Sequence, residues 1–153
     1  MPDAQNLQEA ARSEENFATA GIGQILEAWG WVITADLFGD IPVEEAFRDD
    51  ITNPAYSDQE VAYDSVFVLL ERARQNIDRG NSAPLGNSDL LYGGDLEKWR
   101  SLSWAVEAKA HIHLTESGYG AGLDGASSRE ARAQAALDAA LNAFPNGNAD
   151  IPT

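Results

Sequence analysis

The four tryptophans and four tyrosines carry the side chains in this sequence that are best suited to hold a ligand. Flat aromatic faces stack on the apolar faces of sugar rings, while neighbouring amide, carboxylate or guanidinium groups bond the sugar hydroxyls. Trp29 and Trp99 fall on the apolar stripes of predicted helices, where packing in the core is expected. The aromatic residues that lie off these stripes or in predicted loops, and that we predict to be exposed and to contact a ligand, are Trp31, Tyr92, Trp104 and Tyr119.

The two histidines, His111 and His113, are the only nitrogen ligands for a metal ion, and the chain has no cysteine. Side chains two positions apart on a helix point in nearly opposite directions, so this pair cannot bind one metal together. Glu107 lies four positions before His111 and shares its face, but no third ligand follows at the spacing of a zinc site. We therefore predict boundary histidines, with no metal and no cofactor.

Asp36 and Asp40 flank Gly39 in the segment DLFGDIP and could offer oxygen ligands to a cation. A calcium loop places ligands at about every second position over about 12 residues, and this segment does not. The sequence instead predicts a structural role for this segment, as the turn between two helices. We expect Asp40 to cap the element that follows, with Phe38 and Ile41 packed beneath it.

Catalysis by paired carboxylates gains no support, although 25 acidic residues provide many chance pairs. A glycosidase needs one carboxyl group of raised pKa at a set distance from a second, inside a cleft. The sequence also lacks the phosphate-binding loops, nucleophile elbows and zinc motifs of common enzymes. We predict a protein that is not an enzyme.

These side chains would be positioned by helices, because apolar residues recur at helical spacing and no segment alternates as a strand does. Caps and Gly or Pro stops predict helices near 14–38, 58–79, 95–117 and 128–144. Residues 3–12 form either a short first helix or a lead-in. Residues 81–94 and 118–126 are predicted loops, and 146–153 is a predicted tail. The whole chain, 1–153, is then one all-α domain of antiparallel helix pairs.

The predicted core follows from the apolar stripe of each helix. The stripe of the helix near 14–38 consists of Phe17, Ile22, Ile25, Leu26, Trp29, Ile33 and Leu37. The stripe near 58–79 consists of Val61, Val66, Leu69, Leu70, Ala73 and Ile77. The stripe near 95–117 consists of Trp99, Leu102, Val106, Ala110, His113 and Leu114. The stripe near 128–144 consists of Leu137, Ala140, Leu141 and Phe144.

The net charge of −15 excludes some classes of partner. Nucleic acids and anionic lipid surfaces are bound through cationic contacts, and the chain has 10 basic residues against 25 acidic ones. No apolar run approaches the roughly 20 residues that a membrane span needs. No apolar segment of a signal peptide follows Met1. We predict no nucleic-acid partner and no insertion of this segment into a membrane.

The same charge fits either ordinary acidic solubility or adaptation to high salt, and the scarcity of lysine, with only Lys98 and Lys109, beside 25 alanines favours the second. The charge also predicts that stability rises with salt. Most carboxylates then have like-charged neighbours, whose repulsion opposes folding. The Debye length falls from about 30 Å at about 0.01 M salt to about 3 Å at about 1 M, so the melting temperature should rise across this range. An osmolyte at equal concentration controls for effects on hydrophobic burial. A flat or falling melting temperature contradicts the halophilic interpretation.

Two segments resemble the SusD/RagB family of nutrient-binding lipoproteins. The first is ILEAWGWVITADLFGDIPVEEAF, from Ile25 to Phe47, and the second is DLLYGGDLEKW, from Asp89 to Trp99. The family shows an aromatic helix that ends in Asp-x-aromatic-Gly-Asp-Ile/Val-Pro, and a Gly-Gly-Asp-x-x-Lys-Trp helix start. The resemblance covers about residues 16–117, with a weaker continuation to Pro145. Members are usually much longer, which implies an internal piece or a shortened relative.

The resemblance implies a tetratricopeptide-like right-handed helical stack at the cell surface, on the outer membrane. The protein would bind a glycan or another nutrient and deliver it to a SusC-like TonB-dependent transporter. The segment that begins at Trp99 agrees with this, because Trp99-x-x-Leu102-Ser103 fits the start of a tetratricopeptide unit. The sugar-contacting residues of the family have no motif in this sequence.

A second interpretation remains open from the residues alone. A generic tetratricopeptide-like scaffold would bind a peptide or a protein in a concave groove. The genomic context separates the two, because a lipoprotein signal and an adjacent transporter gene accompany only the nutrient-binding protein. An enzyme is the third and weakest interpretation, and a deep pocket with two carboxylates would favour it.

Overall fold

The computed structural model describes residues 2–48, 50–115 and 128–145. Its helices are α1 (Pro2–Ser13), α2 (Phe17–Phe38), α3 (Gln59–Arg79), α4 (Leu96–Leu114) and α5 (Arg129–Ala143), with a short 3-10 turn at Gly86–Ser88. In the described residues there is no strand, only an isolated pairing between Ile41 and Ser57. The prediction of an all-α fold is confirmed. Tyr119, the loop 118–126 and the tail 146–153 lie outside the described residues.

The predicted helix over 14–38 is in fact preceded by a separate helix. Ser13 ends α1, Glu15 adopts a positive φ of 59°, and α2 begins at Phe17. Such a backbone conformation is incompatible with a continuous helix. The chain therefore reverses, and α1 folds back along α2, where Gln8 reaches Glu27.

Helix α2 is the centre of the molecule and packs antiparallel to α3. Gly21, near the start of α2, faces Ala73, whereas Asp36, near its end, meets Tyr63. A Cβ atom on Gly21 would lie 2.7 Å from the carbonyl oxygen of Ala73. The missing side chain thus allows the two backbones to approach closely. The core between them includes Ile25, Val32, Val66 and Leu70, all fully buried.

Replacing Gly21 with alanine should destabilise the protein by about 1–3 kcal/mol. Alanine improves helix propensity by about 1 kcal/mol, but the clash is with a backbone carbonyl that cannot rotate away. Thr34→Ala is a suitable control, because Thr34 lies on the same helix and its hydroxyl only bonds the carbonyl of Gly30. Urea denaturation measures both changes. A Gly21→Ala variant as stable as the control would show that α2 and α3 can move apart freely.

The predicted core stripe of α2 is largely wrong. The side chains of Leu26, Trp29, Ile33 and Leu37 are exposed, and Trp29 is 40% exposed. Ile22 and Ile25 of the predicted stripe are buried, but the rest of the buried face is lined by Ala28, Trp31, Val32 and Ala35. This helix is apolar on almost every side, so periodicity does not select one face. The small residues select it, because they let α3 approach most closely.

Helix α5 shows the same effect against α4. Leu137 and Leu141, predicted in the core, are exposed, while Ala136, Ala139 and Ala143 are buried. Its first turn is capped by Ser128, whose hydroxyl accepts a bond from the amide of Ala131 at 3.1 Å. The alanine face of α5 packs on α4, and this packing places the polar side chains of α5 opposite α3.

Helices α3 and α4 agree better with their predicted stripes. Val66, Leu70, Ala73 and Ile77 of α3 are buried, as are Trp99, Val106, Ala110 and Leu114 of α4. His113 is the exception, because its ring turns away from the core to bond Asp36. No helix among the described residues has the length and apolar character that crossing a bilayer requires.

Candidate functional site

The segment from Asp89 to Trp99 is organised around one carboxylate. One oxygen of Asp89 accepts bonds from the amides of Leu91 and Tyr92, at 3.0 and 3.1 Å. The other accepts from the amide of Gly94 at 3.0 Å and from the indole nitrogen of Trp99 at 2.7 Å. This arrangement closes the turn in front of α4 and fixes the buried indole beneath it.

Two glycines and a second aspartate complete this turn. Gly93 and Gly94 have φ angles of 64° and 87°, which side chains with a Cβ atom rarely adopt. Asp95 then caps α4, since its carboxylate accepts bonds from the amides of Glu97 and Lys98. The Tyr-Gly-Gly-Asp-x-x-Lys-Trp pattern is thus explained by the start of α4. Its role in the structure is to position the start of α4.

Burial raises the pKa of Asp89, but the bonds from Trp99 and the backbone amides outweigh burial and leave that pKa below its ordinary value. A carboxylate whose pKa is lowered in the folded state contributes stability above the ordinary pKa and loses it as the pH falls through the folded pKa. We therefore expect Asp89→Asn to flatten the decline in stability below about pH 4. Urea denaturation at several pH values measures this.

The Asp89→Asn change should also cost about 1–3 kcal/mol at neutral pH, because one amide oxygen cannot accept all four bonds. Asp58→Asn is the matched control, since Asp58 precedes α3 without a side-chain cap bond. If both variants keep the wild-type acid decline, Asp89 does not contribute to it.

A second cluster joins three helices around Asp36. Its carboxylate accepts bonds from the hydroxyl of Tyr63 and from Lys109 at 3.0 Å, and it pairs with Nδ1 of His113 at 2.6 Å. Burial raises the pKa of Asp36, and the bonds from these three side chains together lower it below the ordinary value. The cluster holds α2, α3 and α4 together at one end. Asp36 is therefore structural, as predicted.

Asp40 and its neighbours agree only partly with the predicted turn. Asp40 accepts a bond from the amide of Gln59 at 3.0 Å and so secures the first residue of α3. Ile41 is buried and exchanges backbone bonds with Ser57, but Phe38 is 73% exposed rather than packed beneath the turn. The described residues contain no cluster of acidic and histidine side chains that could hold a metal ion.

A surface hollow lies between α3, α4 and α5, and we call it the α3–α5 groove. Its volume is about 580 Å³, within the range of small-molecule sites. Its aromatic lining consists of Phe67, Trp104 and His111. Its polar lining consists of Glu71, Arg72, Arg74, Gln75, Glu107, Asp138 and Asn142. The half-buried Trp104 and the polar side chains around it give the groove one partly accessible ring and several hydrogen-bonding groups.

The side chains of this groove are held in place before any ligand arrives. The guanidinium of Arg74 lies 3.7 Å from the centre of the Trp104 ring and pairs with Glu107 at 2.6 Å and with Glu71 at 3.2 Å. His111 stacks on Phe67, with 4.6 Å between the ring centres. A fixed indole loses little conformational entropy on binding, which favours affinity.

The three predicted ligand residues that the structure describes, Trp31, Tyr92 and Trp104, lie in three different places. Trp104 is half-buried and lines the α3–α5 groove. Tyr92 is half-buried and meets Trp99 edge to face at 5.1 Å, away from that groove; burial, with the charge of Asp89, raises its pKa. The predicted exposure of Trp31 is wrong, since only 5% of it is exposed, although it lines a separate cavity beside α1. Tyr119 lies outside the described residues.

The polar residues of the groove were missed in the sequence. They come from α3, α4 and α5, and α3 and α5, which lie some 60 positions apart along the chain, are brought together by packing on α4. A weak signal exists, because Glu71 and Gln75 on α3, and Asp138 and Asn142 on α5, are polar pairs at a spacing of four. Gln75 donates to Glu71 at 2.8 Å.

Comparison with known proteins identifies the family. Residues 1–144 match the model of the SusD-like family described as "Starch-binding associating with outer membrane". The fold matches the crystal structure of a SusD/RagB family protein from Bacteroides thetaiotaomicron, with a TM-score of 0.77 and 23% identity. That match covers 91% of this chain and 28% of the other, so the chain spans less than a third of that protein. No curated protein matches. The chain belongs to the SusD-like family, and its all-α fold is the fold of a SusD/RagB protein.

Proposed function

We propose that this chain binds a glycan in the α3–α5 groove without catalysing a reaction on it. The observation that carries the proposal is Trp104, an aromatic side chain fixed by Arg74 at the floor of a polar groove of about 580 Å³. A sugar ring can stack on the part of the indole that Arg74 leaves open. The amide and carboxylate groups of Gln75, Asp138 and Asn142 would bond its hydroxyls.

The family supports the cellular role in this proposal. Its description combines starch binding with association to the outer membrane. We propose that the protein acts as a surface lipoprotein of the outer membrane and passes the glycan to a SusC-like TonB-dependent transporter. Co-purification of this transporter with the full-length protein tests the partner. Its absence from the purified complex would contradict delivery while leaving glycan binding intact.

Glycan binding is tested by titrating malto-oligosaccharides into the protein and following the complex by calorimetry. The family description makes this starch-derived series the first probe, and a glycan array extends the search. We expect Trp104→Ala to weaken binding about tenfold, since lost stacking of an aromatic ring costs about 1 kcal/mol or more. Asn142→Ala should weaken binding to a lesser extent, by removing one set of hydroxyl bonds.

Trp29→Ala is the matched control, because Trp29 is an exposed tryptophan of α2 outside the groove. It should leave the affinity unchanged. Circular dichroism of each variant shows whether the helices are intact. Equal loss of affinity in both tryptophan variants, or no binding of any glycan, would contradict the groove as a sugar site.

A further inference from the structure

A second hollow, which we call the α1–α3 cavity, lies beside the groove along α3. It has a volume of about 420 Å³, opens to the surface and is lined by residues of α1, α2, α3 and the turn after α2. Val68 and Arg72 of α3 line both hollows, so the two are neighbours across one helix. The α1–α3 cavity differs from the groove in its chemistry, because an almost fully buried carboxylate, Glu27, forms part of its wall.

Glu27 is only 6% exposed, and its two oxygens accept bonds from the amide nitrogens of Gln5 and Gln8, at 2.8 and 2.6 Å. Both donors are neutral. No cationic side chain of the described residues lies within 4.0 Å of this carboxylate. A buried charge without a partner of opposite sign is costly. Each oxygen can still accept a further bond, so the carboxylate can bind a cation that enters the cavity.

The rest of the lining favours a cation as well. Glu27, Glu44 and Asp64 contribute three negative charges and Arg72 one positive charge, which gives −3 + 1 = −2 at neutral pH. Trp31 lines the same cavity, and the indole ring is the aromatic group that attracts cations most strongly. An ammonium group has three donors for carboxylate oxygens and suits this combination of groups.

We propose that the α1–α3 cavity binds the protonated amine of an amino sugar. The ammonium group donates to Glu27, the ring lies near the exposed edge of Trp31, and the carboxylates of Asp64 and Glu44 elsewhere in the lining attract the charge. The volume of about 420 Å³ admits a ligand of monosaccharide size. This cavity is separate from the α3–α5 groove, so the proposal does not require glycan binding there.

Titration with glucosamine, N-acetylglucosamine, glucose and ethanolamine tests this site, with chemical shifts of the indole and Gln side-chain signals as the readout. Glucosamine should bind at least about tenfold more tightly than glucose or N-acetylglucosamine, since bonds to a charged group contribute about 1.5–3 kcal/mol. Ethanolamine carries the amine without the sugar ring, so its affinity measures the contribution of the amine alone. If ethanolamine binds as tightly as glucosamine, the assignment of the ligand as a sugar is overturned.

Glu27→Gln should weaken glucosamine binding about tenfold or more, because it removes the buried charge. Glu44→Gln, at an exposed position that leaves packing intact, should weaken it less but measurably. Glu9→Gln is the control, since Glu9 is an exposed acid of α1 outside the cavity. Trp104→Ala should have no effect, which keeps this result independent of the groove. Equal affinity for glucosamine and glucose, or unchanged affinity in both Glu27→Gln and Glu44→Gln, would overturn the proposal.

Discussion

Replacing Trp99 with alanine should lower the free energy of unfolding by about 3–5 kcal/mol. The indole is 3% exposed and belongs to the core formed with α2 and α3. Its removal would leave a cavity that the surrounding helices fill only in part. It would also leave Asp89 without the 2.7 Å bond that the indole donates. Both effects act in the same direction.

Two further variants serve as controls. Trp99→Phe separates the lost packing from the lost hydrogen bond, and Trp29→Ala measures the effect of removing a tryptophan outside the core. Phenylalanine restores most of the buried surface but cannot donate to Asp89, so its cost should be about 1–2 kcal/mol. Trp29→Ala removes an exposed indole and should cost less than about 1 kcal/mol. Urea denaturation gives all three values. A small loss in Trp99→Ala, equal to that of Trp29→Ala, would contradict the burial of Trp99.

Replacing Glu107 with alanine should cost about 3 kcal/mol, because it leaves the charge of Arg74 in an environment with little water. The side chain of Arg74 is 9% exposed and that of Glu107 is 15% exposed, so solvent cannot replace the lost carboxylate. The cost stays near the lower end of the range for a buried pair, since Glu71 still contacts the guanidinium at 3.2 Å.

A double replacement separates two quantities. One is the net contribution of the Arg74–Glu107 pair to stability, and the other is the loss of stability when one of the two charges is left unpaired. Arg74→Met with Glu107→Leu keeps similar volume and removes both charges, so it should be more stable than Glu107→Ala alone. The methionine thioether can also lie against the ring of Trp104. If the double variant is less stable than the single one, the ion pair itself contributes net stability. Near-ultraviolet circular dichroism or fluorescence of the indole shows whether Trp104 keeps its position.

The fold class and the buried faces of α3 and α4 were predictable, because the apolar stripes of these two helices are well defined. On α3 and α4, polar residues separate the apolar positions, so only one face can enter the core. Helices α2 and α5 were predicted with the wrong face because apolar or alanine residues occur all round them. Which face is buried there depends on how closely a neighbour can approach, as Gly21 against Ala73 shows. The buried face of such a helix can therefore be identified only once its packing partner is known, and not from the helix's own residues.

The candidate site was predictable only through Trp104. This residue lies off the stripe of α4, and the structure places it in a groove as an off-stripe position suggests. The same reasoning failed for Trp31. Its position was judged against the predicted core stripe of α2, and that stripe differs from the face of α2 that is buried. The buried Glu27 was also missed, since its partners Gln5 and Gln8 lie on a helix that the sequence left uncertain.

The turn around Asp89 has a consequence for the order in which the chain folds. All of its bonds close within ten residues, between Asp89 and Trp99. The entropy lost on closing so short a loop is small compared with the α2–α3 pairing, where Asp36 and Tyr63 are 27 positions apart. Contacts of low sequence separation form early in folding. We therefore expect the start of α4, with the indole already bonded to Asp89, to form before the long-range core, which φ-value measurement at Asp89 and Tyr63 would check.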